Sequence, residues 1–347
     1  MASNDKVEDL AGQLGVRHRL AALSIARLDQ RVQGIRTPPT LTPPLFGDLQ
    51  DEMDTEKKRI TARRIGVSVP KLLMRVGFRV FPPSRNLWRY YGTFGQLPNL
   101  LVPRRLTEKL QRKILFDRNP RLPIFADKLR ARGFVRATLG DGRCLSKLYA
   151  VVESPEEIRR LTLPTKFVMK PNHASGMIKV VGDPSDVSPG ELEGLASKWL
   201  KVNYYDVTKE WAYKKIKPRI MFEELLEVDG KVAGDFKFHC FHGEPRFLLV
   251  TKDRFTNLKI NIYDMNLSLL PVRLKDHENF PGELIAPPNF DEMKHIARQL
   301  SAGMDYLRVD LYNLPGRIVF GELTNYTGNA RTQYEPPAWD YKFGSYW

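Results

Sequence analysis

The feature that most constrains the fold of this chain is a pair of apolar segments that each carry a carboxylate. Residues 306–324 read YLRVDLYNLPGRIVFGELT, and a Pro-Gly turn dipeptide separates two β-type runs. Asp310 lies in the first run and Glu322 in the second. Pairing across the turn brings the two carboxylates together, whereas unpaired carboxylates in apolar strands would cost free energy. The sequence therefore predicts a β-hairpin whose two acids act together.

Polar residues near this hairpin suggest a metal site. Asn325 follows Glu322 by three residues, and two carboxylates with one amide oxygen suit a hard cation such as Mg²⁺. Arg308 shares a strand face with Asp310, because side chains alternate along a strand. From there its guanidinium can stabilise negative charge that develops on a tetrahedral intermediate. The alternative is that these acids merely face water.

Two other segments place lysines at strand positions. Asp235 and Lys237 share one face of the β-type segment DFKFHCF. Lys170 ends the short strand KFVMK and is followed at once by the loop PNHASG, which contains Ser175 and Gly176. Backbone N–H groups of such a loop can wrap nucleotide phosphates while the lysine neutralises them. The Walker A pattern is absent, and one lysine at a strand end is by itself a weak signal.

The second half of the chain has an α+β pattern. Residues 166–170 and 178–181 predict one hairpin, and residues 235–252 predict another that turns at a His-Gly pair. A helix is predicted over 189–201 and a further strand over 218–227.

Two helices are predicted before this α+β part. The first begins with Thr107 as its N-cap and ends at Asn119-Pro120, and the second covers 124–135. The aromatic segment at 336–347 is expected to pack against the catalytic lobe.

The net charge of +15 is distributed unevenly. Residues 1–150 contain 29 Lys and Arg against 13 Asp and Glu, whereas residues 151–347 contain 26 against 27. This asymmetry predicts an anionic partner for the first half, which is nucleic acid, a lipid surface or an acidic glycan. The alternative is a solvated basic surface that only aids solubility. Zinc-finger, RNP-like and clear helix-turn-helix patterns are absent, which argues against nucleic acid.

The N-terminal segments have a separate character. Residues 1–60 are expected to be an appendage with a helix near 18–32 and a proline-rich linker at 37–44. Residues 69–92 interleave apolar, aromatic and basic side chains. They predict either contact with an anionic membrane surface or a helix packed on the main body. A membrane-spanning stretch and a secretory signal are not found, so a cytoplasmic protein is expected.

Cysteine and histidine usage gives no metal signal. Cys144 and Cys240 lie far apart and outside any C-x-x-C pair, so two reduced thiols are expected rather than a disulfide. His239 and His242 bracket Cys240, but alternation puts His239 and Cys240 on opposite strand faces. Structural or solvent-facing histidines are therefore expected.

Taken in order, these motifs resemble the ATP-grasp fold, and more narrowly its TupA-like branch, which is associated with teichuronopeptide and surface-polysaccharide biosynthesis. The resemblance runs from about residue 68 to residue 347, and the ordered set is far more specific than any single motif. The segments that carry it are RRLTEKLQRKILFDRNP, FADKLRARGFV, KFVMKPNHASG, WLKVNYYDVTKEWAYKKIKPRIMFEELL, DFKFHCFHGEP and YLRVDLYNLPGRIVFGELTNYTGNA.

The resemblance implies two α+β lobes that sandwich ATP, preceded by a basic and mainly helical N-terminal region. ATP and Mg²⁺ are the implied cofactors. Lys170 and, by a looser match, Lys147 would contact the phosphates, and the loop from His173 to Gly176 with Ser175 would cover them. The remaining implied nucleotide-binding residues are Lys237, which would reach the transferred phosphate, Asp235, and an adenine hinge of Glu223, Glu224 and Leu226.

For the metal, the resemblance implies Asp310 and Glu322 as ligands with Asn325 as the third, and Arg308 facing the acyl phosphate. Related ligases often place the amide ligand two residues after the glutamate, where this chain has Thr324. Thr324 and Asn325 therefore stay alternatives.

The implied organisation has four parts. These are an N-terminal extension at 1–60, a basic region at 61–150, a lobe with the Lys170 loop at 151–220, and a lobe with the adenine hinge and metal site at 221–347.

Three functions are compatible with the sequence. The first is a ligase that activates a carboxylate, for example a uronic acid of a surface polysaccharide, and joins it to an amine or amino acid. Its partners would be an anionic glycan or lipid-linked saccharide, with peripheral contact at the inner face of the membrane. The second is a kinase of the same fold that phosphorylates a sugar hydroxyl. The third, a nucleic-acid-binding protein, is disfavoured by the missing motifs.

Overall fold

Two antiparallel β-sheets and the helices around them form the fold. A computed structural model describes residues 84–183, 185, 187–252 and 257–347. The predictions for residues 1–83, which include the helix near 18–32, the proline-rich linker and most of the segment predicted to contact a membrane, lie outside the described residues.

In the described part of the chain, four helices come first, and the strands and remaining helices follow. The helices are α1 (Ser84–Phe94), α2 (Leu106–Phe116), α3 (Leu122–Ala126), α4 (Lys128–Leu139), α5 (Pro189–Leu200), α6 (Tyr204–Thr208), α7 (Phe290–Ser301) and α8 (Ala338–Gly344). The strands are β1 (Leu148–Val152), β2 (Phe167–Pro171), β3 (Lys179–Val181), β4 (Ile220–Glu223), β5 (Glu227–Val228), β6 (Lys231–Val232), β7 (Asp235–Phe241), β8 (Glu244–Lys252), β9 (Lys259–Asp264), β10 (Arg273–Leu274), β11 (Tyr306–Leu314), β12 (Arg317–Thr324) and β13 (Tyr334–Glu335).

The smaller sheet has four strands in the order β1-β4-β2-β3, all antiparallel. Its apolar face, with Met169 and Phe222, forms a core with Leu192 of α5. The predicted hairpin of residues 166–170 and 178–181 is confirmed, because β2 and β3 pair with Val168 opposite Val180.

The larger sheet has five antiparallel strands in the order β12-β11-β7-β8-β9. Helix α7 packs on it with an apolar stripe at helical spacing, Phe290, Met293, Ala297 and Leu300, all buried. Both hairpins predicted for this part of the chain are confirmed. The α+β prediction is therefore confirmed.

The aromatic C-terminal segment packs on the larger sheet, as the sequence predicts. Phe343 stacks on Phe247 of β8 with ring centroids 3.9 Å apart, and Trp347 stacks on Tyr306 of β11 at 5.3 Å. Helix α8 also lies directly against the start of α2. A Cβ atom on Gly344 would come within 2.1 Å of the Arg104 carbonyl oxygen, so the close approach requires glycine.

The predicted start of α2 is wrong. The N-cap is Arg105, and Thr107 lies inside the first turn. Its backbone N–H donates to Oδ1 of Asp340 at 3.0 Å, and its hydroxyl donates to Oδ2 at 2.6 Å. A carboxylate from α8 thus satisfies the first-turn N–H group, and the helix begins earlier than a Thr cap would allow.

The single helix predicted over 124–135 is also wrong, since the segment forms α3 and α4. Asp127 separates them with an extended backbone (φ −86°, ψ 106°). Its carboxylate caps α4 by accepting from the N–H groups of Leu129 at 3.0 Å and Arg130 at 3.4 Å.

The cysteine prediction is confirmed, because Cys144 and Cys240 are both free thiols. His239 is buried and its Nδ1 is hydrogen-bonded to the Tyr306 hydroxyl at 3.0 Å, which is a structural role. Within the part of the chain that the structure describes, none of the helices has the length and apolar character needed to cross a membrane.

Candidate nucleotide and metal site

The acidic hairpin forms as the sequence predicts. Asp310 on β11 lies directly opposite Glu322 on β12, and on its other side it lies opposite Lys237 on β7. Leu311 pairs with Phe320, so Gly321 is an extra residue in β12. A Cβ atom there would lie 3.1 Å from the Asp310 carbonyl oxygen, so this bulge favours glycine.

Arg308 lies between the two carboxylates. Its Nε donates to Oδ1 of Asp310 at 2.7 Å, and its Nη2 donates to Oδ2 of Asp310 at 2.7 Å and to Oε1 of Glu322 at 2.8 Å. Its Nη1 donates to the Thr327 hydroxyl at 2.9 Å. Burial lowers the pKa of Arg308, but the Asp310 and Glu322 carboxylates outweigh burial and raise that pKa above its ordinary value. The guanidinium therefore stays charged and fixed in orientation.

Lys237 extends this network along the sheet. Its ammonium donates to Oδ2 of Asp310 at 2.9 Å and also to Asp235. The Thr251 hydroxyl donates to the other oxygen of Asp235. The predicted shared face of Asp235 and Lys237 is confirmed, and it continues onto Asp310.

The oxygen atoms near the hairpin fit a magnesium ion. Among the described residues, no group of three or more His, Cys, Asp or Glu side chains is placed to hold a metal. A cation here would therefore bind to Asp310 and Glu322 and to neutral oxygens. Mg²⁺ fits this set, because it binds through one or two carboxylates and keeps several waters.

The two alternatives for the third ligand have different surroundings. Thr324 donates its hydroxyl proton to Oε1 of Glu322 at 3.2 Å. Asn325 is buried, and its Nδ2 donates to the Leu122 carbonyl oxygen at 2.9 Å. Its Oδ1 is buried and has no hydrogen-bond partner. Both residues therefore keep an oxygen that could face a cation.

The smaller sheet supplies positive charge. Lys170 on β2 forms an ion pair with Oε1 of Glu223 on β4. Arg132 of α4 lies 3.7 Å from the other Glu223 oxygen, and the Ser146 hydroxyl donates to that oxygen at 3.3 Å. Two cations thus surround one carboxylate, the reverse of the larger sheet, and the Glu223 side chain holds this arrangement together.

Lys128 is the functional candidate that the sequence interpretation missed. It is the first residue of α4, its ammonium donates to the Ala174 carbonyl oxygen, and it lines one small cavity together with Glu322. Burial and the nearby Lys170 lower the pKa of Lys128 to about 8, although the carboxylates of Glu322 and Glu223 oppose this shift. Its ammonium therefore lies between the acids of one sheet and the cations of the other. The Asp-Lys pair near the start of FADKLRARGFV is the sequence feature that could have indicated Lys128 as a functional residue.

Lys147 lies elsewhere. Its side chain is exposed, and its ammonium lies 5.5 Å from the centre of the Tyr149 ring. The backbone N–H of Lys147 donates to Oε2 of Glu224 at 3.0 Å, which ties it to the hinge. Its contact with the phosphates stays a prediction, whereas the charge of Lys128 interacts with that of Lys170.

The loop after β2 has a buried first half and a more exposed second half. His173 is buried, with Nε2 3.1 Å from the Val202 carbonyl oxygen and Nδ1 3.3 Å from Oδ1 of Asn172. Burial lowers its pKa, so the ring is neutral and has a structural role in this loop. Gly176 is exposed with φ 78°, and Ser175 is half-buried. The lid role thus rests on Ser175 and Gly176.

In the hinge, two backbone groups already have partners. The N–H of Glu224 donates to the Lys147 carbonyl oxygen at 2.9 Å, and the carbonyl oxygen of Leu226 accepts from Ala233 at 2.9 Å. An adenine edge would therefore need the other backbone groups of this segment.

A small cavity lies beside Glu322 on the larger sheet. Lys128, Tyr213, Gly321 and Glu322 line it with apolar residues of α3, α4 and β12. One cation, Lys128 of α4, and one carboxylate, Glu322 of β12, therefore meet in this cavity.

Comparisons with known proteins identify the family. No curated protein matches the chain in sequence. Two solved structures similar to it are the ATP-grasp ligase PsnB complexed with minimal precursor (15% identity, TM-score 0.36) and the D-alanine–D-alanine ligase from Bacillus anthracis complexed with ATP (14%, TM-score 0.34). The aligned parts cover 60% and 59% of this chain, but only 54% and 55% of those two chains.

A third similar structure is the N5-carboxyaminoimidazole ribonucleotide synthetase from Thermus thermophilus, with 14% identity, a TM-score of 0.35, and coverage of 65% of this chain and 52% of that one. The profile of one protein family, described as TupA-like ATPgrasp, matches residues 108–347, which is more than half of the chain. The chain therefore belongs to the TupA-like ATP-grasp family.

Proposed function

We propose that the protein is an ATP- and Mg²⁺-dependent ligase that joins a carboxylate to an amine through an acyl phosphate. The observation that carries this proposal is the approach of opposite charges around Lys128 and Glu322, which line one small cavity. Lys128 and the nearby Lys170 provide cations for phosphates, and Glu322 with Asp310 provides hard oxygen ligands for a divalent ion. Membership of the ATP-grasp family supports the same assignment.

The residues of the smaller sheet would bind the nucleotide. Lys170 and Lys128 would contact the phosphates, and Ser175 and Gly176 would cover them from the loop after β2. Glu223 would keep Lys170 in place through their ion pair. The hinge residues Glu224 and Leu226 would contact the adenine.

The residues of the larger sheet would act on the reacting groups. Asp310 and Glu322, with Thr324 or Asn325, would hold Mg²⁺, which would neutralise phosphate charge. Lys237 would contact the transferred phosphoryl group. Arg308 is fixed by three acceptor side chains and would stabilise the anionic oxygen of the tetrahedral intermediate.

The chemistry balances in two steps. A substrate carboxylate oxygen attacks the γ-phosphorus of ATP, the bond to the β-phosphate oxygen breaks, and ADP leaves. The amine nitrogen then attacks the acyl carbon of the acyl phosphate. Phosphate leaves, and the nitrogen loses a proton as the amide forms.

For the substrates, we propose an acidic saccharide, such as a uronic acid unit of a surface polysaccharide or its lipid-linked precursor, and an amino acid or another amine. The support is the resemblance of the motifs to the TupA-like branch and the basic character of the first half of the chain. Reduced cysteines and the use of ATP agree with a cytoplasmic location.

Hydroxylamine trapping tests the reaction type. With ATP, Mg²⁺ and an acidic saccharide, we expect hydroxamate to form in step with ADP release, because hydroxylamine captures an acyl phosphate. Glu322→Gln should abolish both signals, and Glu244→Gln, which alters an exposed ion pair with Arg298, should leave both unchanged. ADP release with a phosphorylated saccharide and no hydroxamate would show a kinase instead.

A further inference from the structure

Most of the lysines and arginines of the chain have no role in the proposed reaction. Residues 84–139, which form α1 to α4, contain 13 Lys and Arg but only 3 Asp and Glu. The nucleotide site uses Lys128 and Arg132 from this segment. Lys113 is buried in ion pairs with Asp117 and Asp305, but several of the other cations lie at the surface and call for another explanation.

One face of the molecule combines cations with exposed apolar side chains. It is built from the loop at 98–105, from α2 and from α8, which packs against the start of α2. We call it the basic-apolar face. Its members are Leu101, Val102, Arg104, Arg105, Lys109, Arg112, Phe116, Tyr341 and Lys342.

The apolar members are unusually exposed. Leu101 is 82% exposed, Val102 62%, Tyr341 44% and Phe116 43%. Among the described residues, eight large hydrophobic side chains are exposed, and these are four of the eight. Leu101 and Val102 are neighbours in the loop, and contiguous exposed apolar side chains mark an interaction surface, whereas scattered ones do not.

Acidic groups are withdrawn from this face. Residues 98–116 and 338–347 contain two acids, Glu108 and Asp340, and both are buried. Asp340 accepts hydrogen bonds from Thr107 inside the molecule. The charges left at the surface of these two segments are therefore positive, which is complementary to an anionic partner.

Hydrogen bonds from backbone N–H groups to two side chains hold the loop at 98–105 in place. Oδ1 of Asn99 accepts from the N–H groups of Leu101 at 3.2 Å and Val102 at 2.9 Å. Oε2 of Glu108 accepts from the N–H groups of Arg104 at 3.0 Å and Arg105 at 3.1 Å. The loop is thus fixed with Leu101 and Val102 pointing into solvent, so their exposure is built into the fold.

Helix α2 continues the same surface along its length. Arg105, Lys109, Arg112 and Phe116 follow one another at intervals of four, three and four residues, which places them on one helix face. Arg112 and Phe116 are exposed, while Arg105 lies over the Tyr341 ring, which extends the surface onto α8. Cations and apolar groups therefore alternate over the whole face.

We propose that the basic-apolar face docks the protein on an anionic membrane surface. Leu101, Val102 and Phe116 would enter the interface between headgroups and acyl chains, and the arginines would contact lipid phosphates. A nucleic acid would use the cations but would leave the exposed aliphatic side chains in water. The apolar tips therefore favour a membrane.

Vesicle co-sedimentation of the full chain tests this surface. The probes are phosphatidylcholine vesicles with and without about one-third phosphatidylglycerol. We expect binding to the anionic vesicles only, with affinity about tenfold lower for Arg112→Glu and for the double variant Leu101→Ser/Val102→Ser. Matched changes outside the face, Arg143→Glu and Ile285→Ser, alter side chains that are also highly exposed and should have no effect.

Three results would overturn the proposal. Both face variants could bind anionic vesicles as the unaltered chain does, which would assign binding to another part of the protein. Binding to neutral vesicles could be equally strong. Duplex DNA could be bound instead of vesicles, with Arg112→Glu weakening that complex and the Leu101/Val102 variant leaving it intact. ATP turnover is measured in parallel, and because these residues lie outside the nucleotide site, failure of docking and failure of the ligase assignment are separable.

Discussion

The two sheets of this protein balance charge in opposite ways. The five-stranded sheet carries three carboxylates, those of Asp235, Asp310 and Glu322, held by Arg308 and Lys237. The four-stranded side has one carboxylate, Glu223, held by Lys170 and Arg132. One surface therefore has an excess of acid and the other an excess of cation.

This difference shows why neither sheet would be a nucleotide site alone. An acidic sheet repels phosphates unless a divalent cation is bound, and a cationic side attracts phosphates but offers few ligands for that cation. Lys128 lies at the junction, where Glu322 and Lys170 act on its charge in opposite directions. Substituting one of these residues at a time should show what each contributes to the site.

The largest effect is expected on the acidic side, from Glu322→Gln. The amide cannot supply the charge that Mg²⁺ needs, so ATP turnover should fall by about 100-fold or more. We choose Glu322 for this substitution and not Asp310, because removing the buried Asp310 charge would take an ion-pair partner from both Arg308 and Lys237. Steady-state ADP release measures the effect. Glu244→Gln is the control, and a loss equal to that of Glu322→Gln would mean that the assay reports general charge changes.

On the cationic side, Lys170→Met should weaken ATP binding by about tenfold to 100-fold, because a phosphate contact of roughly 1.5–3 kcal/mol is lost. Arg132 stays near Glu223, so the fold should persist. The KM for ATP is measured. Lys166→Met, which removes an exposed lysine paired with Glu227, is the matched control. An unchanged KM for Lys170→Met would remove Lys170 from the nucleotide site.

At the junction, Lys128 predicts a pH dependence. Because its pKa is lowered to about 8, its positive charge is present below pH 8 and is lost as the pH rises further. Binding of ATP should therefore weaken roughly fivefold to tenfold between pH 7 and pH 9. Lys128→Arg should flatten the profile, since a guanidinium stays charged over this range. The same fall in affinity for both proteins would assign the titration to another group.

The smallest effect concerns Glu210, a buried acid that belongs to neither sheet. Burial raises its pKa to about 7 from 4.5, while a hydrogen bond from Nδ2 of Asn329 at 2.6 Å opposes the shift. The folded state binds this proton more tightly than the unfolded state, so its contribution to stability is present below pH 4.5 and is lost as the pH rises to about 7.

Glu210→Gln keeps the acceptor oxygen and removes the charge. Its free energy of unfolding at pH 8 should exceed that of the unaltered chain by about 1–3 kcal/mol, and the two should converge near pH 4.5. Urea unfolding at both pH values measures this difference. A lower stability at pH 8 would show that Glu210 needs its charge, for example to hold a nearby arginine.

Much of the fold follows from local patterns in the sequence. The hairpins were predictable because turn dipeptides separate apolar strands, and the shared faces of Arg308 with Asp310 and of Asp235 with Lys237 follow from alternation. The predicted start of α2 was wrong because a residue distant in sequence supplies a hydrogen bond there. Asp340, far along the chain, satisfies Thr107 and shifts the start of α2.

Local sequence patterns also made part of the candidate site predictable. Residues within one hairpin, such as Asp310 and Glu322, can be related by register. Lys128 was missed because its importance arises from residues far along the chain, Ala174 and Glu322, which no local period reports. Thr327, which orients Arg308, lies in a short turn after β12 and has no pattern of its own. The position of His173 likewise involves Val202, a residue of a different segment, whose carbonyl oxygen lies 3.1 Å from Nε2.

Titration calorimetry with a non-hydrolysable ATP analogue tests the central claim, that nucleotide and Mg²⁺ bind together between the two sheets. For the unaltered chain, we expect Mg²⁺ to tighten binding of the analogue by about tenfold or more. For Glu322→Gln the analogue should bind with the same affinity whether or not Mg²⁺ is present, while Glu244→Gln should behave as the unaltered chain. Full retention of the Mg²⁺ effect in Glu322→Gln would show that Mg²⁺ does not bind at Glu322.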